Sequence, residues 1–330
     1  MKISNAVVHM RDYIYYRPIT LIYFTKYFGI RKAAAEMIYY HYTLLKRAKW
    51  SLTAKQDNKI VNVNGIKMAV MPNDKGISEE LIMWGTHEPL ATEILERELA
   101  PDMVCIDIGA NIGYYALIES KIISKNGKVI AIEPAPSSFG LLKRNIALQE
   151  INTSGSTNRN NNNNIEVYNL AIGDVDGKVD FVITQFSNLN RVLRENERRY
   201  NAAISDITTV AAKRLDTFVS ERQIGSIDFI RMDVEGHENK IIKGMQQTLM
   251  KYKPLLMIEV HKDYLGTRET IDFLLELKSY GYELKYLVPR EIDSPLIASH
   301  TDIKKTISID DAISLLERDL LPSSFNIFLI

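Results

Sequence analysis

From Ile60 the chain alternates apolar and polar positions. Ile60-Val-Asn-Val-Asn-Gly-Ile-Lys-Met-Ala-Val70 has the period of two of a strand pair, with Asn64-Gly65 as its hairpin turn. An apolar stretch over Ile77–Gly85 follows, then a helix over Pro89–Leu99 with Pro89 in its first turn. Val104–Ala116 reads V-C-I-D-I-G-A-N-I-G-Y-Y-A, a run that ends in an acid, breaks at Gly109 and resumes as a helix after Gly113. That is how a parallel strand turns sharply into a helix beside a ligand. Strand-like runs recur at Lys128–Glu133, Ile165–Ile172, Ile227–Met232, Leu255–Val260, Tyr282–Val288 and Phe325–Ile330. Helices are predicted over Ile112–Ser124, Pro136–Glu150, Asn239–Lys251 and Thr267–Tyr280, the last stopped by Gly281. A hairpin through Asp176-Gly177 leads into Val179–Thr184, and Pro289–Pro322 is a long connection with a helix over Asp310–Asp319. Strands alternating with helices place the chain in the α/β class.

The first strand-to-helix turn constrains the ligand. A dinucleotide pyrophosphate sits on a helix N-terminus behind a G-x-G-x-x-G loop. Here the glycines are Gly109-x-x-x-Gly113, with Asn111 where the middle glycine would stand. Asp107 also argues against a phosphate, because a carboxylate at the strand end repels one and attracts an amino group. Twenty residues after Gly113 the second strand ends in Glu133, where a βαβ unit places the acid that accepts hydrogen bonds from both ribose hydroxyls. A ligand carrying an adenosine and an ammonium satisfies both acids.

At these residues the chain resembles the class I S-adenosylmethionine-dependent methyltransferases and, within them, the FkbM family. The likeness is carried by D-I-G-A-N-I-G-Y-Y at Asp107–Tyr115, I-E-P at Ile132–Pro134, A-I-G-D at Ala171–Asp174 and I-D-F-I-R-M-D-V-E-G-H-E at Ile227–Glu238. The resemblance implies a Rossmann-like class I fold: a seven-stranded, mostly parallel sheet in the order 3-2-1-4-5-7-6 with helices on both faces. It implies S-adenosylmethionine as cofactor, bound by Asp107, Gly109, Ala110, Asn111, Gly113, Tyr114, Glu133, Pro134, Ala171, Ile172 and Asp233. Ala171 and Ile172 are expected beside the adenine. Glu88-Pro89 matches a Glu-Pro pair of the family, which makes Glu88 either a pocket residue or the cap of the following helix.

Asp233-Val-Glu235-Gly-His237-Glu238 closes the fourth strand. Polar side chains at such an end project into the crevice where α/β ligands bind, while Glu235 and Glu238 are also explained as charges on the next helix N-terminus. His237 is equally explained as a hydrogen-bonding residue. Glu259 and His261 end the fifth strand at the same edge. Methyl transfer from a sulfonium needs alignment above all, and a hydroxyl acceptor also needs a base; Glu235, His237 and His261 are the candidates. The Asn/Asp-Pro-Pro-aromatic motif of base amino-methylation is absent, and the single cysteine, Cys105, lies in the wrong strand for pyrimidine chemistry. FkbM-like enzymes are associated with O-methylation, which implies a hydroxyl on a sugar, lipid-linked or other small-molecule acceptor. No His/Cys/Asp group has ligand spacing, so no metal is predicted. A dehydrogenase and a non-catalytic nucleotide-binding module remain as alternatives.

Composition changes the picture at one end only. The 330 residues carry zero net charge, so no global field draws the chain to nucleic acid. Residues 1–50 hold nine Lys/Arg against Asp12 and Glu36, interleaved with Tyr13, Tyr15, Tyr16, Tyr23, Tyr27 and further aromatics. This predicts a basic, aromatic-rich helical extension with a linker, 1–59, ahead of a methyltransferase domain over 60–330. Its aromatic face packs on the domain or on a second copy of the chain, or contacts an anionic membrane surface peripherally. Ile19–Ile30 contains Lys26 and is too short to span a bilayer. With one cysteine and no leader pattern, a cytoplasmic location is expected. Residues 153–164, rich in Asn, are predicted to form a disordered loop, and the Arg-rich stretch Asn188–Asn201 is either a solvated helix or a substrate-facing insertion.

Overall fold

In a computed structural model the chain is described over residues 59–330, apart from 72–73, 75, 125, 154–163, 195–203 and 294–306, with a few scattered positions between 30 and 45. The extension expected over 1–59 and the Asn-rich loop expected over 153–164 therefore lie almost wholly outside the described residues, as does the second half of Asn188–Asn201.

The strands, in chain order, are β1 (Lys59–Val63), β2 (Ile66–Val70), β3 (Val104–Ile108), β4 (Lys128–Ile132), β5 (Ile165–Tyr168), β6 (Ala171–Gly173), β7 (Gly177–Thr184), β8 (Arg191–Val192), β9 (Ile204–Arg214), β10 (Phe229–Met232), β11 (Leu255–His261), β12 (Leu284–Pro289) and β13 (Ser324–Leu329). β1 and β2 form the hairpin expected at Asn64-Gly65. Seven strands make the main sheet in the order β5-β4-β3-β10-β11-β13-β12. Counted along the sheet's own strands this is 3-2-1-4-5-7-6. β5, β4, β3, β10 and β11 run parallel, and β13 is antiparallel to both neighbours.

Period-two alternation sorts the central strands between two cores. Cys105, Val129, Phe229, Met257 and Phe328 face helices Pro89–Glu98, Tyr114–Ile123 and Pro136–Thr153. Ile106, Ile130, Ile230, Leu256 and Ile327 face helices Leu215–Glu221, Thr267–Ser279 and Ile309–Glu317. Strands apolar on both sides need cover on both sides, which is the doubly wound Rossmann-like class I architecture.

Three elements differ from the sequence reading. β5 stops at Tyr168, where the Asn169 side chain donates to the carbonyls of Glu133 and Pro134 and turns the chain out of the main sheet. Ala171–Gly173 then joins a second sheet, ordered β6-β9-β7-β8. β6 and β7 therefore do not form the expected hairpin; both pair with β9 instead. The helix expected over Asn239–Lys251 is broken into Glu238–Gly244 and Gln246–Tyr252. At Gly244 a Cβ would stand 1.9 Å from the carbonyl oxygen of Gly173, so the first helix packs backbone to backbone on β6 and ends there.

One long-range cap positions the site. Glu88 occupies the N-cap position of helix Pro89–Glu98 without a side-chain cap bond. The free amides of Leu90 and Ala91 donate instead to the Asp293 carboxylate, at 2.6 and 3.1 Å. The single helical turn Arg290–Ile292 is thereby tied to the start of that helix. Among the described residues no helix is long and apolar enough to cross a membrane.

Candidate functional site

The C-terminal ends of β3, β4 and β10, together with the second sheet, border an open crevice. Its apolar side is Ile108, Ile132, Leu170, Ile172 and Phe181. The loop after β3 supplies the first polar edge. Gly109 takes φ +84, and a Cβ there would meet the carbonyl oxygen of Asp233 at 1.9 Å, so only glycine lets the β3 and β10 tips touch. Asn111, also at positive φ, donates its backbone N–H to Glu133 Oε2 at 2.8 Å. Among the described residues its own Oδ1 is buried with no hydrogen-bond partner. The Ala135 amide donates to Glu133 Oε1 at 2.7 Å. Glu133 is thus fixed by two backbone amides, and each oxygen keeps a lone pair for a further donor. Burial pushes its carboxyl up to about 7, against the pull of those amides.

Of the residues expected to bind cofactor, Gly109, Asn111, Glu133, Pro134, Ala171, Ile172 and Asp233 border the crevice. Ala110 and Gly113 shape the turn behind it, joined by a backbone bond of 2.8 Å. Asp107 and Tyr114 are not brought there. Asp107 is fully buried and accepts from Arg231 Nη1 at 3.0 Å, its cross-strand neighbour in β10. Burial raises this carboxyl while Arg231 opposes the rise. The Tyr114 hydroxyl sits among Asn64, Thr86, His87 and Thr92, anchoring the β1–β2 block to helix Tyr114–Ile123. Strand alternation could have flagged Asp107, since its neighbours Ile106 and Ile108 point to the opposite core.

The other end of the crevice is charged. Asp233, Glu235 and His237 border it, with Glu235 held at φ 52 in the turn after β10. The register of β10 on β11 sets Met257 opposite Arg231, so Asp233, Glu259 and His261 follow on the same sheet face. His261 Nδ1–H donates to Glu238 Oε1 at 2.6 Å. Its Nε2 lies 3.4 Å from Glu235, 3.6 Å from Glu259 and 4.0 Å from Asp233. Burial alone would lower His261, but the surrounding carboxylates of Glu235, Glu259 and Glu238 hold it well above the ordinary imidazole range. Burial likewise raises Glu235, opposed by His261, and brings Glu259 to about 7. His237 stands against Gly173 and burial keeps it neutral. Folding also gathers residues that sequence spacing kept apart: one side-chain atom each of Asp233, Glu259 and His261 lie within 4.8 Å of one another.

Behind this cluster lies a ring that the sequence reading largely missed. Arg231 bonds Asp107 and Asp233 and stacks 4.0 Å over the Tyr115 ring. Tyr115 donates to Glu88 at 2.6 Å, and Arg290 approaches Glu88 at 3.2 Å. Burial would raise Glu88, but the charges of Arg290, His87 and Arg231 bring it to about 2. Glu88 is thus a buried anion, not a side-chain cap. Arg290 lies about 200 residues from its partner Glu88 in the chain, and nothing local announces the pairing. The Arg-rich stretch does contribute: Asn188, Asn190 and Arg191 border the crevice.

The methyltransferase FkbM domain family matches residues 107–284. The chain is similar to the 2-O-methyltransferase NoeI of Sinorhizobium fredii, 25% identical over 66% of this chain and 90% of that protein. It is similar to the methyltransferase sdnD of Sordaria araneosa, 26% identical over 53% of this chain and 72% of that one. Among solved structures, the FkbM methyltransferase of Methylobacillus flagellatus aligns at 14% identity with a TM-score of 0.40, covering 69% of this chain and 44% of that one.

Proposed function

The chain belongs to the methyltransferase FkbM domain family, and from that premise we propose that it transfers a methyl group from S-adenosylmethionine to a hydroxyl of a sugar, lipid-linked or other small-molecule acceptor. The observation that carries this reading is the two-ended crevice. One end offers an apolar slot, a backbone-held carboxylate and an unpartnered amide oxygen; the other offers clustered carboxylates and imidazoles. An adenosyl amino acid fits the first end. Ile132, Ile172 and Phe181 take the base, Glu133 takes the ribose hydroxyls, and the orphaned Oδ1 of Asn111 takes the ammonium. When bound, that cofactor supplies an already activated methyl group.

The protein's own contribution is alignment, exclusion of water and removal of the acceptor proton. Glu235 borders the crevice with its carboxyl raised by burial, which makes it a stronger base than an exposed carboxylate. His237, kept neutral, and His261 flank it. The name of NoeI, a 2-O-methyltransferase, supports an oxygen acceptor. The test is twofold. S-adenosylhomocysteine should raise the melting temperature and NAD should not. Incubation with labelled methyl donor and fractionated extract should then label a product whose mass shows an O-methyl group. Stabilisation by NAD instead, or a product labelled only on nitrogen or carbon, overturns the reading.

A further inference from the structure

We propose that Asp233, Glu259 and His261 bind one divalent cation of the manganese class, with Glu235 as an additional oxygen donor and Glu238 as the residue that positions His261. Three observations converge on this. The first is the orientation of the imidazole. A carboxylate accepts, so His261 donates its Nδ1 proton to Glu238, which leaves Nε2 as the nitrogen that offers a lone pair among the surrounding carboxylates once a cation displaces its proton. A carboxylate behind a histidine is the usual support of a metal-bound imidazole, fixing its tautomer and ring plane.

The second is distance. The separations of 3.4, 3.6 and 4.0 Å from Nε2 to Glu235, Glu259 and Asp233 are long for hydrogen bonds. They approach the edges of a coordination shell: ligands about 2.0–2.2 Å from a metal stand about 3–3.6 Å apart. The third is unmet polarity. Glu235 is 7% exposed and no hydrogen bond to its carboxylate is found among the described residues. Asp233 Oδ2 accepts from Arg231 at 2.9 Å, while Oδ1 is buried without a hydrogen-bond partner among the described residues. Charge points the same way. Arg231 is engaged by Asp107 and Asp233, and Arg290 chiefly by Glu80 and Glu88, its Nε 3.9 Å from Glu259. Among the described residues, His261 is the cation that Glu235 and Glu238 are paired with, and Glu259 lies between His261 and Arg290. One nitrogen with several carboxylate oxygens suits manganese, which accepts hard oxygen ligands together with an imidazole.

Its use rests on the methyl-transfer reading: a cation here places positive charge where an acceptor hydroxyl loses its proton to Glu235. Its existence does not depend on that reading. The full-length chain, stripped with a chelator, is titrated with manganese(II) chloride while the electron spin resonance of free manganese is followed. Depletion of the free-ion signal, saturating at one ion per chain, is expected. His261→Ala and Glu259→Gln should each abolish that uptake, and Glu238→Gln should weaken it by about 10–100-fold. Melting curves check each variant; if His261→Ala does not fold, the near-isosteric Glu259→Gln carries the test. No depletion in the wild type, or unchanged uptake in a folded Glu259→Gln, overturns the site and leaves His261 a plain imidazolium. S-adenosylhomocysteine binding in the same samples separates the two ideas. Cofactor binding without manganese uptake removes only the cation, and manganese uptake without cofactor binding removes only the transferase reading.

Discussion

The two ends of the crevice are built on opposite principles. At the β3–β4 end, backbone does the work: Gly109 and Asn111 at positive φ bring amides to Glu133, and one side-chain oxygen is left over. At the β10–β11 end, side chains do it: Asp233, Glu235, Glu238, Glu259 and His261 crowd together, held from behind by Arg231 and Arg290. The contrast sets how each end responds to substitution. Backbone geometry tolerates few substitutions, whereas a charged cluster can be retuned one residue at a time.

The most severe test of that division is Glu235→Ala. Loss of a base costs about 10²–10⁴-fold in turnover, while S-adenosylhomocysteine binding should persist, because Glu133 and Asn111 are untouched. Normal incorporation of labelled methyl would show that the charged end is not where the proton leaves. Arg231→Met probes the support common to both ends. Asp107 would be left buried and unpaired, costing about 3–5 kcal/mol, read by urea unfolding. A loss below about 1 kcal/mol would show that Asp107 is already neutral.

The cofactor end answers to pH. With its carboxyl at about 7, Glu133 is the anion at pH 8 and mostly protonated at pH 6. A protonated carboxyl accepts fewer hydroxyl bonds, so S-adenosylhomocysteine binding should weaken as pH falls below 7, by up to about tenfold per unit. Glu133→Gln should bind weakly and without that slope in calorimetry; a slope kept in the variant would assign the titration elsewhere. The smallest effect is expected at Asp293→Ala, which frees two helix amides for about 1 kcal/mol and should lower turnover only through the position of Arg290.

How far each end was legible follows from the same contrast. Glycine spacing and the acid twenty residues on announced the β3–β4 end, because positive φ and a strand-tip acid are local demands that a short stretch must meet by itself. Asp107 and Tyr114 read as part of that end, yet one is turned into an ion pair with Arg231 and the other into a polar cage under the hairpin. Glu235, His237 and His261 were visible as polar residues at strand tips. Their partners Arg290 and Glu88, and the gathering of Asp233, Glu259 and His261, were not. Similarly, the second sheet could not be read from Ala171–Gly173, because β9, the strand it pairs with, lies some forty residues further on.

The sequence by itself determined most of the strands and helices of the main sheet and the turn at Gly109–Gly113, since periodicity and glycine placement act within a few residues, while the cover on both faces came from the family resemblance. Only the tertiary structure decided which carboxylates burial raises, which are paired with arginine and which converge on one imidazole. Those outcomes depend on through-space distances between segments that the chain keeps far apart.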